Sequence, residues 1–201
     1  MNPRIVLASA SPRRADVLRQ LGVEALVRPA DVDERYMAGE TPVEYVERLA
    51  RWKADTVCDG AEDVLVVGGD TVVLHEGRVL SKPEDEAHAV SMLLSLSGGT
   101  HEVLSGIAIS GAHGMVSGVA RTEVRMRSFG RELTESYVAT GEPMDKAGGY
   151  GLQGKGAALI EGVAGDYYAV IGFPVGAFLD LLLRVGWRFE FGQWTRVTDT
   201  D

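Results

Sequence analysis

Val64-Leu65-Val66-Val67 is an unbroken apolar run, and it stops in Gly68-Gly69-Asp70-Thr71. A run so short and so rich in β-branched residues reads as a strand buried on both faces, the kind that needs helices above and below a sheet. The rest of the chain supplies such helices. Residues 5–8 form another short apolar strand, followed by Ser11-Pro12, a helix start with serine at N-cap and proline at N1, and by Gly22 just past the helix end near Leu21. Residues 24–28 read as a second strand. Residues 29–40, holding Asp31, Asp33 and Glu34, have no periodicity and read as a loop. Thr41-Pro42-Val43-Glu44 is a capping box that opens a helix to about Asp59, with Val43, Val46, Leu49, Ala50, Ala54 and Val57 on one face.

Beyond Asp70, Val72-Val73-Leu74 continues toward a tight turn at Glu76-Gly77. Residues 83–96 read as a helix stopped by Gly98-Gly99. Residues 101–110 and 115–127 pair as antiparallel strands, and residues 133–140 are a short helix. Residues 141–156 contain six glycines in 16 positions and read as a loop too long to be idle. Residues 157–160 and 167–171 are expected as strands, 174–185 as a closing helix, and 187–194 as a last strand before a polar tail, 195–201. The mixture of βαβ units with a hairpin gives an α/β fold with a mixed sheet.

At 201 residues the chain holds one large domain or two small ones, and 45% apolar with 24% charged residues excludes disordered and fibrous classes. No apolar run approaches the roughly 18 residues of a membrane span, and the N-terminus lacks a signal-peptide plan. One cysteine, Cys58, allows no internal disulfide and fits a reducing compartment, so the expected location is cytoplasmic. A net charge of -9 argues against sequence-independent nucleic-acid binding but leaves a small anionic ligand open, since a few convergent cations suffice.

Two glycine patterns fail on context. Gly149-Tyr150-Gly151-Leu152-Gln153-Gly154 matches a dinucleotide fingerprint, yet a Pro- and Gly-rich loop precedes it where a strand is required. Gly149 to Lys155 matches the start of a Walker A loop, but Gly156 stands where a magnesium-binding hydroxyl is needed. The four histidines, His75, His88, His101 and His113, have no helical pairing and read as surface or edge residues. No G-x-S-x-G elbow exists.

Asp70 is the most informative acid. Placed beyond a buried strand, after two glycines, its carboxylate is expected to face a ligand, as at the carboxyl ends of strands in open α/β sheets; Gly-Gly-Asp is equally ordinary turn chemistry. Ser9-Ala10-Ser11-Pro12-Arg13-Arg14 opens a helix whose free N–H groups and dipole suit phosphate, with two arginines as bidentate donors. The chain has 16 arginines and only four lysines. Lys53, Lys82, Lys146 and Lys155 all fall in or beside these segments, which supports a polyphosphate site with Asp33 or Glu34 available for a hard cation.

Together, Ser9-Ala10-Ser11-Pro12-Arg13-Arg14, Asp33-Glu34, Ala50-Arg51-Trp52-Lys53-Ala54, Gly69-Asp70-Thr71-Val72-Val73, Lys82-Pro83, Leu96-Ser97-Gly98 with His101, and Asp145-Lys146-Ala147-Gly148 through Gln153-Gly154 resemble the Maf family, in its order and from residue 4 to about 187. The resemblance implies an elongated α/β body with a mixed sheet and a central cleft, similar to the inosine triphosphate pyrophosphatases, as a single domain of two lobes over residues 1–201. It implies hydrolysis of a nucleoside triphosphate to the monophosphate and pyrophosphate with a divalent cation, Mg2+ or Mn2+, as nucleotide house-cleaning. Gly69-Asp70-Thr71 and Gln153-Gly154 are similar to the branch acting on dTTP and UTP. By that resemblance Asp70 is the general base and a metal ligand with Glu34. Ser9, Arg13, Arg14, Lys53, Thr71, Lys82 and Gln153 bind substrate, and Arg13, Thr71 and Gln153 set specificity. A 7-methyl-GTP or broad-specificity enzyme and a regulator of septum formation remain the alternatives. No nucleic acid or membrane partner is expected, and a homodimer is an assembly that the resemblance allows. The chain departs from the family pattern at Phe173, where leucine is usual, and at Ser81, where glycine is common.

Overall fold

The computed structural model describes residues 2–197, so the last four residues of the expected polar tail lie outside the described residues. The elements are β1 (Arg4–Leu7), α1 (Pro12–Gln20), β2 (Ala25–Val27), α2 (Pro42–Val57), β3 (Val64–His75), β4 (Arg78–Leu80), α3 (Glu86–Leu96), β5 (Thr100–Gly111), β6 (Gly114–Met126), α4 (Arg131–Val138), β7 (Ile160–Ala164), α5 (Tyr167–Ile171), α6 (Val175–Arg184), β8 (Trp187–Glu190) and β9 (Gln193–Arg196). A seven-stranded mixed sheet runs in the order β2-β1-β3-β5-β6-β7, with β4 folded back on β3. β1 is parallel to both β2 and β3, placing Val6 opposite Leu26 and Val66, whereas the β3–β4 and β6–β7 pairs are antiparallel. The fold is α/β, as the order of elements predicts. No described helix is long and apolar enough to cross a membrane.

The chain divides into two compact units. Among the described residues the first comprises 2–70, 105–120 and 172–197, and the second 71–104 and 121–171. In the first unit, Val6, Ala8, Val64, Val66 and Ala108 pack against Ala50 and Ala54 of α2. The small residues on both sides have a shared cause. A Cβ on Gly68 would collide with the carbonyl oxygen of Ala50 and sit 2.7 Å from the amide nitrogen of Ala54, and one on Gly106 would collide with the carbonyl of Val46. The helix backbone thus lies directly on the sheet backbone, and neither can give way as a side chain could. Gly68→Ala is therefore expected to destabilise the fold by about 3 kcal/mol, at the upper end of overpacking costs; a urea denaturation midpoint unchanged from the parent contradicts that packing.

In the second unit, Val73, Leu93, Leu96, Val103, Val124, Met126, Tyr137 and Leu159 form the core. His101 lies inside it, 3% exposed, with Nε2 2.7 Å from the hydroxyl of Tyr150. The expectation of four surface histidines fails here, because β5 turns His101 inward onto that phenol. Burial, and to a lesser degree His75, pushes its pKa down to about 4. The unfolded chain binds this proton near pH 6.5 and the folded one does not, so stability is expected to fall by about 3 kcal/mol as pH drops from 6.5 toward 4. His101→Phe removes that part of the acid slope while costing stability at neutral pH. A parental slope in the variant, read by thermal melting across this range, contradicts the assignment.

Several local expectations are corrected. β3 is continuous through Asp70, so the Gly-Gly pair is extended backbone and not a turn, with Gly68 admitting α2 and Gly69 facing the Gly106 carbonyl. α3 starts three residues later than expected, where the Asp85 carboxylate accepts the His88 N–H at 2.7 Å. Residues 155–159 form a 3₁₀ turn instead of a strand, and residues 167–171 form α5, because the Asp166 carboxylate accepts the N–H groups of Tyr168 and Ala169. The expected final strand is a hairpin, β8–β9, split by left-handed Phe191 (φ 49°) and Gly192 (φ 88°). Residues 141–156 are an ordered loop, with 3₁₀ turns at Glu142–Asp145 and Ala147–Gly149.

Candidate active site

Helix α2 is fixed at its start by the capping box, in which Thr41 Oγ1 accepts the Glu44 N–H (3.3 Å) and the Glu44 carboxylate accepts the Thr41 N–H (2.8 Å). From there Tyr45, Leu49 and Lys53 recur at four-residue spacing and fall on one buried face. A lysine on that face needs a partner. Its Nζ lies 2.7 Å from Asp70 Oδ1 and 2.6 Å from Glu34 Oε1. The side chains of Lys53 and Asp70 are 9% and 11% exposed, whereas that of Glu34 is 56% exposed. One wall of the cluster is therefore buried and the other faces water.

The loop carrying Glu34 is held by the same helix. Tyr45 donates its O–H to the Glu34 carbonyl (2.7 Å), and Tyr36 stacks on the Tyr45 ring at 3.9 Å. Arg48 grips the Glu40 carboxylate through two nitrogens, at 2.5 and 2.8 Å, and also donates to the Arg35 carbonyl. That hydrogen bonding holds the Glu40 carboxyl below its usual pKa. The structure separates the two acidic candidates for a hard cation. Asp33 turns away into a bidentate pair with Arg35, and Glu34 meets Lys53.

Ser9 and Arg14 follow β1 and lie in the same unit. Arg14 is buried and donates Nε to the Gly172 carbonyl and Nη1 to Ser9 Oγ, each at 2.8 Å. Burial lowers its pKa from the ordinary guanidinium value, opposed by the charge of Asp70. Ser9 Oγ also accepts the Ser11 N–H, so any further bond it makes is as a donor. Arg13 is half-buried in the first turn of α1. Phe173, one of the two departures from the family pattern, is 1% exposed against Phe178 and anchors the backbone beside the carbonyl that Arg14 reaches.

Thr71, Lys82 and Gln153 belong to the second unit. Thr71 continues β3, while Lys82 and Gln153 are exposed, the former between β4 and α3 and the latter in the glycine loop. Gly148 donates to the Ser81 carbonyl (3.2 Å), so the structure draws the Lys82 segment and the glycine loop together. Gly148, with φ 73°, lies against Val73, where a Cβ would meet the valine side chain at 2.8 Å. Lys146 does not offer a free ammonium to an anion, because its Nζ is bound to the Glu142 carbonyl and Asp145. Glu142 is a residue that sequence reasoning passed over. Its carboxylate accepts from Tyr137, Lys155 and Gly156, and only its place in Gly141-Glu142-Pro143 at the loop entrance hinted at it.

Asp70 and Glu34 converge on a single cationic atom, which tests whether they suit a divalent ion. Among the described residues no three His, Cys, Asp or Glu side chains gather as an all-protein metal site. Two carboxylates are the donor set of a hard cation that takes its other ligands from phosphate and water, so these residues fit one.

The family model for Maf-like protein matches residues 4–185. The chain is 47% identical over 185 residues to the dTTP/UTP pyrophosphatase of Moorella thermoacetica, covering 91% of this chain and 95% of that one. It is 44% identical over 189 residues to the dTTP/UTP pyrophosphatase of Symbiobacterium thermophilum, covering 94% and 97%. A solved structure, the Staphylococcus aureus Ham1 protein, aligns with TM-score 0.42 and 18% identity over 61% of this chain and 70% of that one. On the match of the family model and these two relatives, the chain belongs to the Maf family.

Proposed function

We propose that this chain is a nucleoside triphosphate pyrophosphatase that hydrolyses dTTP and UTP to the monophosphate and pyrophosphate, as nucleotide house-cleaning. The observation that carries the reading is the buried Lys53–Asp70 pair with Glu34 on its exposed side, in a chain 47% identical to a dTTP/UTP pyrophosphatase. The bond broken is the α–β phosphoanhydride. A water oxygen attacks the α-phosphorus, Asp70 takes its proton, and the bridging oxygen leaves with pyrophosphate. Lys53, Arg13 and Lys82 bind the phosphates and stabilise the charge that collects on the leaving group. Ser9, with Arg14 behind it, contributes a hydroxyl donor to the same phosphates. Glu34 and Asp70 would hold a divalent cation, Mg2+ or Mn2+, which when bound neutralises phosphate charge.

Gln153, with Thr71 and Arg13, reads the base. One amide offers an acceptor for N3–H and a donor for a ring carbonyl, a pattern that uracil and thymine share and cytosine lacks. The thymine methyl alone is worth only about 1–3 kcal/mol, so both dTTP and UTP are substrates. Both relatives' names support this reading over a 7-methyl-GTP enzyme. The test is pyrophosphate release from a panel of nucleoside triphosphates with Mg2+, with Mn2+ and with EDTA. Cation-dependent turnover confined to dTTP, UTP and their near relatives is expected. Preference for 7-methyl-GTP, or no turnover of any nucleotide, overturns the assignment.

A further inference from the structure

The loop that carries Gln153 is tied on one side to the Glu142 carboxylate and on the other to the tyrosine hydroxyl bound to it. Glu142 Oε1 accepts the Tyr137 O–H (3.0 Å) and the Gly156 N–H (2.9 Å), and Oε2 accepts the Lys155 N–H (2.9 Å). The Tyr137 oxygen in turn accepts the Gly151 N–H at 3.1 Å. Gln153 stands midway between these anchors, Gly151 on one side and Lys155 with Gly156 on the other. The Gln153 side chain itself is exposed. The glycines beside it let the loop close on the hub. Gly154 has φ 97°, and a Cβ there would meet the Glu142 carboxylate at 2.8 Å; a Cβ on Gly156 would meet the Tyr137 hydroxyl at 2.6 Å. The hub has its own supports. Tyr137 is 5% exposed in α4, and Lys146 Nζ donates to the Glu142 carbonyl at 2.6 Å. Burial of Glu142 works against its charge and is outweighed by the hydrogen bonds from Gly156, Lys155 and Tyr137, so its carboxyl stays below the usual range.

We infer that Glu142, with Tyr137 as its relay, is the positioning residue that sets the stance of Gln153 and through it the selectivity for uracil and thymine nucleotides. This rests on the reading of Gln153 as the base-reading residue. A carboxylate that merely stabilised the loop would, when altered, lower turnover of every nucleotide together. One that positions Gln153 changes the ratio between nucleotides, because a side chain displaced by about 1 Å loses the bonds that distinguish the rings while leaving phosphate contacts intact.

The experiment measures kcat/KM for UTP and CTP in Glu142→Gln and Tyr137→Phe, each alone and combined with Gln153→Ala. Glu142→Gln places an amide NH2 against donors, and about a tenfold loss of UTP-over-CTP preference is expected. Tyr137→Phe removes one oxygen, keeps the core packing, and is expected to lose about threefold. In the Gln153→Ala background neither substitution changes the preference further. Should Glu142→Gln fold poorly, the Tyr137→Phe pair of measurements decides alone. Equal losses on both nucleotides, or losses that add in full to those of Gln153→Ala, overturn the inference while leaving the role of Gln153 standing. An unchanged preference in Gln153→Ala by itself removes the base-reading role, and the inference with it.

Discussion

Asp70→Asn yields a folded protein whose pyrophosphate release is slower by about a thousandfold, the middle of the range for losing a positioned general base. The substitution keeps shape and an oxygen acceptor for the Lys53 ammonium at the position where Oδ1 now lies 2.7 Å away. It removes the negative charge and the capacity to take a proton from water. Deleting one member of a buried ion pair is ordinarily costly because the other charge is left uncompensated. Here Lys53 retains Glu34 at 2.6 Å, so the stability loss is expected to stay within about 2 kcal/mol. Thermal melting and single-turnover kinetics separate the two effects. A variant within tenfold of the parent rate removes Asp70 from the proton transfer, whereas a variant that does not fold shows the pair to be chiefly structural.

For Gln153→Ala the expected loss is selective. Its side chain is exposed and outside the core of its unit, so melting temperature is unchanged. The kcat/KM for UTP and dTTP is expected to fall about a hundredfold, while that for CTP, whose ring lacks N3–H, is expected to change little. The logic is that of a site built on hydrogen bonds, where the discriminating energy resides in donors and acceptors left unpaired by the wrong ring. Parallel losses on all three nucleotides place the role of Gln153 in loop structure.

Local pattern reads the helices of the chain more readily than the contacts of the candidate site residues. Asp70 reads as the residue just after a strand, yet it lies within β3. Gly-Gly-Asp is local turn chemistry, and only the backbone of α2, absent from any local pattern, reveals why a glycine is needed at 68, while Gly69 faces the Gly106 carbonyl and the Arg14 guanidinium. The capping box and apolar face of α2 were legible, because both repeat at helical spacing, and Lys53 breaks that face for a reason visible only once Asp70 and Glu34 meet it. Asp33 and Glu34 are adjacent acids that no pattern tells apart. The anchors that separate them, Arg35 for one and the Tyr45 hydroxyl on the other's carbonyl, are matters of tertiary placement. Residues 167–171 read as a strand because Tyr-Tyr-Ala-Val-Ile favours one, and a single capping carboxylate at Asp166 overrides that preference. Position alone groups Lys146 with the anion-binding lysines, whereas a neighbouring carboxylate and a carbonyl occupy its ammonium. Two of the three donors to the Glu142 carboxylate are backbone N–H groups, which leave no mark on a sequence.

The central claim, that water attacks the α-phosphorus and pyrophosphate leaves, is tested most directly by hydrolysing UTP in ¹⁸O-labelled water and locating the label. Label is expected in the UMP phosphate and none in pyrophosphate. Label in pyrophosphate, or release of inorganic phosphate in its place, contradicts it.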